Sequence, residues 1–282
     1  MSSNEKPLSE LINFGIINLD KPAGPTSFSV SDFVRKSLNI NKTSHAGTLD
    51  PQVTGVLPIL LGRACRLSDF FMHKDKTYVG IMRLHKEIDE DVLKKTIEKF
   101  IGKIIQLPPV RSSVKRAVRE IEVKHFKILE IQGKDVLFET QVQAGTYIRT
   151  LCDNIGKEIG GAHMLELRRT QAGIFSESDD SFINLYDFEK ALEEHKARND
   201  LPLRKIIIPA DIALQKVMHS IEISDKNIKQ LLTGKPLMSS DLIGDLPDSE
   251  IFAAFCSDKL IGVYKKSESK GDILAKALFV YN

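Results

Sequence analysis

The stretch His45-Ala-Gly-Thr-Leu-Asp50-Pro-Gln-Val-Thr-Gly55-Val-Leu-Pro58 places one carboxylate between two kinds of backbone constraint. Gly47 can reach conformations that other residues avoid, while Pro51 fixes its own φ and disfavours the right-handed helical region for Asp50. An acid pinned in this way, just ahead of the apolar run 56–61, suggests a group aimed into a cleft. The competing interpretation is an ordinary turn, in which Asp-Pro and Gly are common for conformational reasons alone.

Length and composition indicate a globular protein with room for one large domain and one small domain. The chain has 282 residues, of which 42% are hydrophobic and 28% are charged, and its formal net charge is +2. These fractions are those of a soluble protein with a substantial core. The small net charge excludes a protein that holds nucleic acid through an overall basic field, so the basic residues have to be considered locally.

The cysteines and the apolar runs predict where the protein works. Cys65, Cys152 and Cys256 are odd in number and widely spaced, which provides neither a disulfide framework nor a CxxC metal site. This cysteine usage fits a reducing cytoplasm. No apolar run approaches the length of a membrane helix, and the first ten residues lack the apolar core of a signal peptide. We therefore expect a soluble, cytoplasmic protein without a membrane partner.

Upstream of the Asp50 stretch, the pattern predicts a tail, a strand, a rigid loop and a helix. Residues 1–13 are predicted to be an N-terminal tail with one apolar anchor, and residues 14–19 to be a strand. The loop that follows, residues 20–27, is rich in Pro and Gly but lacks the GxxxxGK[ST] pattern, so we interpret Lys21 and Pro22 as structural. Thr26 or Ser27 is expected to cap a helix over residues 28–38.

Downstream, alternating and helical spacings predict a mixed α/β chain followed by a smaller β module. The run after Asp50 is predicted to be a strand despite its partly helical spacing, because Gly55 and Pro58 lie inside it. Further strands are predicted at 78–84, 121–131 and 136–143. Helices are predicted at about 64–72, 91–101 and 185–195, and residues 145–151 are expected to lead into another helix that ends at about residue 159. Residues 197–205 are predicted to be a tether. From about residue 221 a short helix and strands at 251–255, 260–264 and 275–281 form a module near the lower size limit for a domain.

Two basic segments are candidates for contact with phosphate. Residues 106–119 carry four cations and no acid, including Arg111, Lys115 and Arg116. They form either a solvated face or a phosphate-binding rim, and we favour the rim because acids interrupt the cations almost everywhere else. Arg168 and Arg169, within residues 162–170, are expected to form a second basic tip.

Three blocks of the sequence resemble the signatures of the TruB/dyskerin-type pseudouridine synthases, in the same order and spacing. They are Leu19-Asp-Lys-Pro-Ala-Gly-Pro-Thr-Ser27, the stretch 45–58, and Gly145-Thr-Tyr-Ile-Arg-Thr-Leu151. Arg111-Ser-Ser-Val-Lys-Arg116 and Gly161-Ala-His-Met-x-Glu-Leu-Arg-Arg169 are most similar to archaeal relatives that serve as the catalytic subunit of box H/ACA ribonucleoproteins. Gly234-Lys-Pro-Leu-Met238 and the strands around it resemble a PUA RNA-binding domain.

The resemblance implies an α+β fold and a known reaction. Residues 14–218 would form a catalytic domain with a central, mostly antiparallel sheet and flanking helices, and residues 219–282 a small, mainly-β PUA domain. The enzyme would convert uridines in RNA to pseudouridine without cofactor or metal. Asp50 falls on the essential aspartate, for which attack on the sugar, attack on the base and promotion of elimination are the open roles.

The resemblance also implies the residues that hold the uridine. A base inside an RNA stem or loop must first be flipped out, at a cost of roughly a few kcal/mol. Tyr78 would stack on the flipped base, Arg149 would pair with the aspartate, and Tyr147 and Leu167 would line the pocket. His45 would fill the space that the base vacates. Considered singly, Tyr78 and Leu167 fit core residues equally well and Arg149 fits a surface cation. The joint match of Asp50, Tyr78 and Arg149 favours the catalytic interpretation.

Three functions are consistent with these residues. The first is modification of ribosomal RNA directed by a box H/ACA guide RNA, with three small partner subunits and with the T-loop uridine of tRNA as a further target. The second is a stand-alone tRNA T-loop enzyme. The third is a non-catalytic RNA-binding scaffold, against which the retention of Asp50, Tyr78 and Arg149 argues. Leu84 leads almost directly to the helix predicted at Asp91, whereas bacterial tRNA-acting relatives carry an insertion there, and this favours guidance.

Overall fold

The computed structural model describes residues 6–109, 117–267 and 271–282, which build two sheets with helices around them. In chain order the helices are α1 Leu8–Asn13, α2 Ser27–Ser37, α3 Ser68–Met72, α4 Glu90–Glu98, α5 Ile148–Ile159, α6 Leu185–Lys196, α7 Leu201–Ile206, α8 Ala210–Gln215 and α9 Ile228–Leu231. Short 3₁₀ turns span Gly62–Leu67, Asp225–Asn227 and Ser239–Asp241.

The strands before residue 210 and those from residue 220 onward form separate sheets. The first eleven strands are β1 Gly15–Lys21, β2 Thr43–His45, β3 Thr54–Leu61, β4 Lys76–Leu84, β5 Gly102–Gln106, β6 Arg119–Gln132, β7 Asp135–Val142, β8 Ala162–Ala172, β9 Phe175–Ser176, β10 Ile183–Asn184 and β11 Ile207–Pro209. The remaining strands are β12 Ser220–Ile223, β13 Leu237–Met238, β14 Leu242–Ile243, β15 Ile251–Cys256, β16 Lys259–Lys266 and β17 Ile273–Val280.

The large sheet has the order β10-β1-β3-β8-β4-β7-β6-β5, with β11, β2 and β9 paired to its inner strands. Its pairs are antiparallel except β1 with β10 and β3 with β8. The second sheet has the order β13-β17-β16-β15-β12-β14. A large, mostly antiparallel sheet with flanking helices and a separate C-terminal β-rich sheet confirms the predicted α+β class.

The strand after the Asp50 loop shows why the sequence pattern was ambiguous there. β3 lies between β1 and β8, and seven of its eight residues are buried. A strand covered on both faces is apolar throughout and loses the alternation that normally marks a strand. The prediction of a strand over this run is confirmed, with Pro58 opposite Asn18 of β1.

Three predictions about individual segments were wrong because tertiary packing determines their structure. Residues 8–13 form α1 rather than a tail, and its Leu8 and Leu11 are buried. The predicted tether, residues 197–205, contains all but the last residue of α7, which buries Leu203. Residues 162–170 are not a tip, because they belong to the eleven-residue strand β8 in the middle of the large sheet.

The two sheets share an apolar cluster, so the C-terminal module packs against the large domain. Phe14, which precedes β1, stacks on Phe279 of β17 with ring centroids 5.9 Å apart. Arg66 lies over the same Phe279 ring, 5.0 Å from its centroid. Tyr281 donates a hydrogen bond of 3.1 Å from its hydroxyl to Glu10 of α1. Because α1 also contacts β1 and β11, it touches both the large sheet and the C-terminal module.

Candidate active site

The Asp50 loop joins β2 to β3 and is fastened from behind by α2. Ser27, the first residue of α2, donates from Oγ to the Leu49 carbonyl at 3.0 Å and accepts from the Leu49 amide at 2.8 Å. Thr26, one of the two caps that the sequence offered, caps the same helix by accepting from the Ser29 amide at 3.0 Å. A short polar side chain at a helix start thus fixes the residue directly before the acid.

Lys21 fastens the other side of the loop. Its ammonium is fully buried and donates to three backbone carbonyls, those of Pro22, Pro51 and Val53, at 2.9–3.0 Å. Burial lowers the pKa of Lys21, and the charge of Asp50 opposes that shift. The interpretation of Lys21 as structural is therefore confirmed, because its donors are occupied by backbone carbonyls, two of which belong to the loop that carries Asp50.

Glycine is required at both ends of the loop. Gly47 has φ +112° and Gly55 has φ +102°, in the region that L side chains rarely adopt. A Cβ on Gly55 would lie 2.2 Å from the Arg169 carbonyl oxygen of β8, a distance that no real side chain tolerates. The close approach of β3 to β8 at this point therefore depends on Gly55 having no side chain.

Asp50 itself faces solvent and is paired with Arg149. Arg149, in the first turn of α5, donates from Nη2 to Asp50 Oδ2. Their side chains are 53% exposed at Asp50 and 51% exposed at Arg149. The fold thus brings together the two charges that lie far apart in the sequence, in an open position from which the carboxylate can reach a bound molecule.

The segment before Arg149 is held by a glutamine that sequence reasoning missed. Gln106, at the end of β5, accepts from the Tyr147 amide at 2.9 Å and donates to the Tyr147 carbonyl at 3.1 Å. Gln106 is only 2% exposed. In the sequence, Gln106 is only the first residue of the basic segment 106–119. No local signal marks its role, because its partner lies 41 residues away in the chain.

Tyr78 and Leu167 lie on neighbouring strands, β4 and β8, and belong to one apolar cluster together with Ile148. They are 8% and 9% exposed. Leu167 pairs with Gly80, where a Cβ would lie 2.8 Å from the Leu167 side chain. Gly80 therefore makes room for Leu167 next to Tyr78. Tyr147 is half-buried and directly precedes Ile148 of this cluster in the sequence.

His45 ends β2 and is half-buried. Burial lowers the pKa of His45, and the Arg169 guanidinium lowers it further, which favours the neutral imidazole. Its Nδ1 atom is buried and has no hydrogen-bond partner among the residues that the structure describes. A neutral ring with a free ring nitrogen fits a positioning role better than that of a charged contact.

The two adjacent arginines of β8 do not form a basic tip. Successive residues of a strand face opposite sides of the sheet. Arg168 is partly exposed but donates to both carboxylate oxygens of Asp20 at 3.0 Å and to Glu177 at 2.8 Å. Arg169 is 1% exposed, so its assignment to the RNA backbone was wrong. Arg111, Lys115 and Arg116 lie outside the described residues.

Over residues 6–109, 117–267 and 271–282, no group of three or more His, Cys, Asp or Glu side chains is arranged to hold a metal ion. No helix within those ranges is both long and apolar enough to cross a membrane. Cys65, Cys152 and Cys256 are buried free thiols.

Comparison with protein-family models gives three matches along the chain. Residues 35–148 match the TruB family pseudouridylate synthase N-terminal domain, and residues 149–215 match the tRNA pseudouridylate synthase B C-terminal domain. Residues 2–31 match the DKCLD domain. Asp50, Tyr78 and Tyr147 fall within the first match, and Arg149 and Leu167 within the second.

Similar proteins are found among curated sequences and solved structures. A probable tRNA pseudouridine synthase B of Methanopyrus kandleri is 44% identical over 85% of this chain and 70% of its own length. The corresponding protein of Thermococcus onnurineus is 40% identical over 97% and 83%. A Cbf5-Nop10-Gar1 complex superposes with a TM-score of 0.89 at 37% identity, covering 99% of this chain and 88% of that one. An H/ACA ribonucleoprotein bound to a substrate RNA containing 2'-deoxyuridine gives 0.88 at 34% identity, covering 99% and 89%.

Proposed function

The chain belongs to the TruB family of pseudouridine synthases, and we propose that Asp50 is the carboxylate on which its reaction depends. In the isomerisation the N1–C1′ bond of a uridine breaks, a C5–C1′ bond forms, C5 loses a proton and N1 gains one. The atoms balance without a second reactant, cofactor or metal. A positioned carboxylate suits each role open to it, as nucleophile at the sugar or base or as the base that promotes elimination.

The observation that carries the proposal is the Asp50–Arg149 pair on a loop clamped from behind. Ser27 and Lys21 hold the backbone at residues 49, 51 and 53, while the Asp50 side chain between them stays half exposed. Binding RNA would cover this open pair and exclude water from it, and electrostatic interactions strengthen when water is excluded. Arg149 would then hold the carboxylate charged and correctly turned.

The flipped uridine would lie against Tyr78, with Leu167 and Tyr147 as walls of the pocket. An aromatic ring and an aliphatic side chain suit a planar base that has left its stack. His45, neutral and half-buried, would occupy the space in the RNA that the base leaves. Of the two basic segments, Arg168 remains a candidate for contact with the RNA backbone, and Arg111, Lys115 and Arg116 would belong to the separate phosphate-binding rim proposed for residues 106–119.

We propose that the chain works as the catalytic subunit of a box H/ACA ribonucleoprotein in the cytoplasm, with a guide RNA and three small protein subunits. Solved relatives that superpose over 99% of this chain are described as a Cbf5-Nop10-Gar1 complex and as an H/ACA ribonucleoprotein with substrate RNA. The connection from β4 to α4 is only residues 85–89, without the insertion of bacterial tRNA-acting enzymes. Residues 219–282 would be the PUA domain that binds RNA beside the catalytic domain at residues 14–218.

Stand-alone action on the T-loop uridine of tRNA is the second candidate, because the curated relatives are described as probable tRNA pseudouridine synthases. A non-catalytic scaffold is disfavoured, because it would have no use for a clamped and arginine-paired Asp50.

One assay separates these functions. Purified protein is incubated with a tRNA transcript and with a guide–target RNA duplex, each with and without the three partner subunits, and pseudouridine is quantified by mass spectrometry. We expect turnover on the guided target that depends on the guide RNA and increases with the partners. Efficient turnover on tRNA alone, with none on the guided target, would support the stand-alone enzyme, and no pseudouridine in any arm would contradict the proposed function.

A further inference from the structure

Arg169 is the largest fully buried side chain of the described residues, and its burial calls for an explanation. It lies on β8 at 1% exposure, and burial lowers the pKa of its guanidinium below the usual value. Taking a charge out of water is costly, and well-packed apolar side chains often replace buried ion pairs without loss of stability. A buried arginine at the edge of a candidate active site is therefore a candidate for a role beyond packing.

The partners of Arg169 are backbone carbonyls on both sides of Asp50. Nε donates to the Val56 carbonyl at 2.7 Å, and Nη2 donates to the Gly47 carbonyl at 2.9 Å. The guanidinium fork therefore spans the Asp50 loop from its first turn to the strand that follows it. Its planar donors hold both carbonyls at once, which the single ammonium of a lysine cannot reproduce.

The acids buried elsewhere in the described residues are engaged with other groups. Asp211 pairs with Lys6, and Asp241 accepts from Asn227 and from the Met238 amide. The hydrogen bonds that satisfy Arg169 thus run to the loop backbone instead of to a neutralising carboxylate. A change in the conformation of the loop would therefore leave the buried charge of Arg169 without these hydrogen bonds.

Arg169 also contacts the proposed base-stacking residue. Tyr78 of β4 and Arg169 of β8 are register partners in the sheet. The Tyr78 hydroxyl lies beside the Arg169 guanidinium and favours the charged form of the guanidinium. One side chain therefore touches both the loop that presents Asp50 and the aromatic residue expected to receive the uracil ring.

Lys76 adds a second buried cation to the same place. It lies two residues before Tyr78 on the buried face of β4, and its ammonium donates to the Met72 carbonyl at 2.6 Å. A Cβ on Gly47 would lie 3.4 Å from Arg169 Nη1 and 3.6 Å from Lys76 Cε. The loop at Gly47 therefore rests directly on the two cationic side chains.

We propose that Arg169 is a positioning residue for the reaction: it holds the Asp50 loop and Tyr78 in one fixed arrangement, with Lys76 supporting the loop at Gly47. This inference rests on the proposed role of Asp50. Its consequence is kinetic, because catalytic groups displaced by about 1 Å can lose about 10²-fold in rate. A residue at 1% exposure does not meet RNA directly, so the affinity for RNA should not depend on it.

The test compares Arg169→Lys, which keeps the charge but loses the fork, with Arg169→Met, which loses both. Arg83→Met is the control, because Arg83 is a half-exposed arginine of β4 that pairs with Asp135 away from the loop. For each folded variant, kcat and KM are measured on the RNA that the wild type modifies, and amide hydrogen exchange is followed over residues 47–56.

We expect both Arg169 variants to lose about 10²-fold in kcat, with Arg169→Lys the less affected, while KM stays within about twofold. Exchange over 47–56 should be faster in both variants, and Arg83→Met should match the wild type in every measurement. If Arg169→Met does not fold, Arg169→Lys decides. Wild-type kcat and wild-type exchange in a folded Arg169→Lys would overturn the proposal, as would a higher KM with unchanged kcat.

The exchange measurement does not need turnover. If the wild type modifies no RNA but the Arg169 variants exchange faster over 47–56, the proposed function fails while the structural link survives. Unchanged exchange would overturn the role of Arg169 whatever the wild type does.

Discussion

Two arginine–aspartate pairs of this molecule have similar exposure but different surroundings. In the strand pair, Arg83 of β4 donates two hydrogen bonds of 2.6 Å to Asp135, its register partner on β7, and the side chains are 46% and 33% exposed. In the active-site pair, Arg149 of α5 donates to Asp50, and the side chains are 51% and 53% exposed.

The difference lies in what carries each pair. The strand pair is an ordinary cross-strand contact, which adjacent register positions make without further support. The active-site pair joins a loop to a helix start across 99 residues, and each side is held by buried side chains: Ser27, Lys21 and Arg169 for the loop, Gln106 for the helix start. The buried side chains that hold both sides of the Asp50–Arg149 pair, and not the ion pair itself, distinguish the candidate active site from the Arg83–Asp135 pair.

Swapping the two charges within each pair should give the largest difference in activity between the pairs. The double variant Asp50→Arg/Arg149→Asp restores an ion pair but moves the carboxylate, so pseudouridine formation should fall by at least about 10³-fold. The double variant Arg83→Asp/Asp135→Arg should keep activity within about threefold, because an exposed ion pair contributes little. The measurement is the initial rate on the same RNA. Activity retained after the exchange at positions 50 and 149 would make the two pairs equivalent.

Removing one arginine sharpens the comparison. Arg149→Ala should reduce kcat by about 10²-fold through loss of electrostatic support for the carboxylate. Because Arg149 is half exposed, the free energy of unfolding should fall by less than about 1 kcal/mol. Arg83→Ala should have an equally small effect on stability and none on kcat. A stability loss of several kcal/mol in Arg149→Ala would show that the pair is structural.

The buried cation Lys76, which supports the loop at Gly47, should make the stability of the protein depend on pH. Burial, and then the charge of Arg169, lower the pKa of Lys76 to about 8, below its usual value of 10.5. The unfolded state therefore binds more protons between these values, so the contribution of Lys76 to stability should improve as the pH rises. Relative to Lys76→Met, the wild type should gain about 2 kcal/mol in free energy of unfolding between pH 7 and pH 10.

Denaturant titrations of both proteins at the two pH values measure this difference. Parallel pH profiles for the wild type and Lys76→Met would contradict the lowered pKa of Lys76.

The smallest expected effect on activity concerns Ser27. Ser27→Ala removes both hydrogen bonds to Leu49 and leaves buried backbone groups unpaired, which should cost about 2 kcal/mol. The carboxylate remains, so kcat should fall only a few-fold. Ser29→Ala, on the exposed side of the same helix start, is the matched control. Equal losses in the two variants, measured by thermal unfolding, would remove Ser27 from the support of the loop.

The sequence carried the local parts of this site but not its long-range parts. The Asp50 loop, the Thr26 cap and the strand after Gly55 could be inferred because their determinants are neighbours in the chain. The contacts of Gln106 with Tyr147 could not be inferred, because the two residues lie 41 positions apart in the chain. The contacts of Arg169 with Gly47 and Val56 could not be inferred either, because only the register of β8 decides which of two adjacent arginines is buried. Arg168 and Arg169 are the same residue type with opposite surroundings.

The same limit explains the mistaken segments. α1 and α7 are six residues each, too short to be stable as isolated helices. Their order comes from burying Leu11 and Leu203 against parts of the chain that local pattern does not reveal.

We propose that Asp50 takes part in the reaction, whereas Asp135 only pairs with Arg83. Single-turnover pseudouridine formation by Asp50→Asn and Asp135→Asn, with RNA affinity measured in parallel, tests it most directly. We expect no detectable product from Asp50→Asn at near wild-type affinity, and a wild-type rate from Asp135→Asn. An undiminished rate in Asp50→Asn would contradict it.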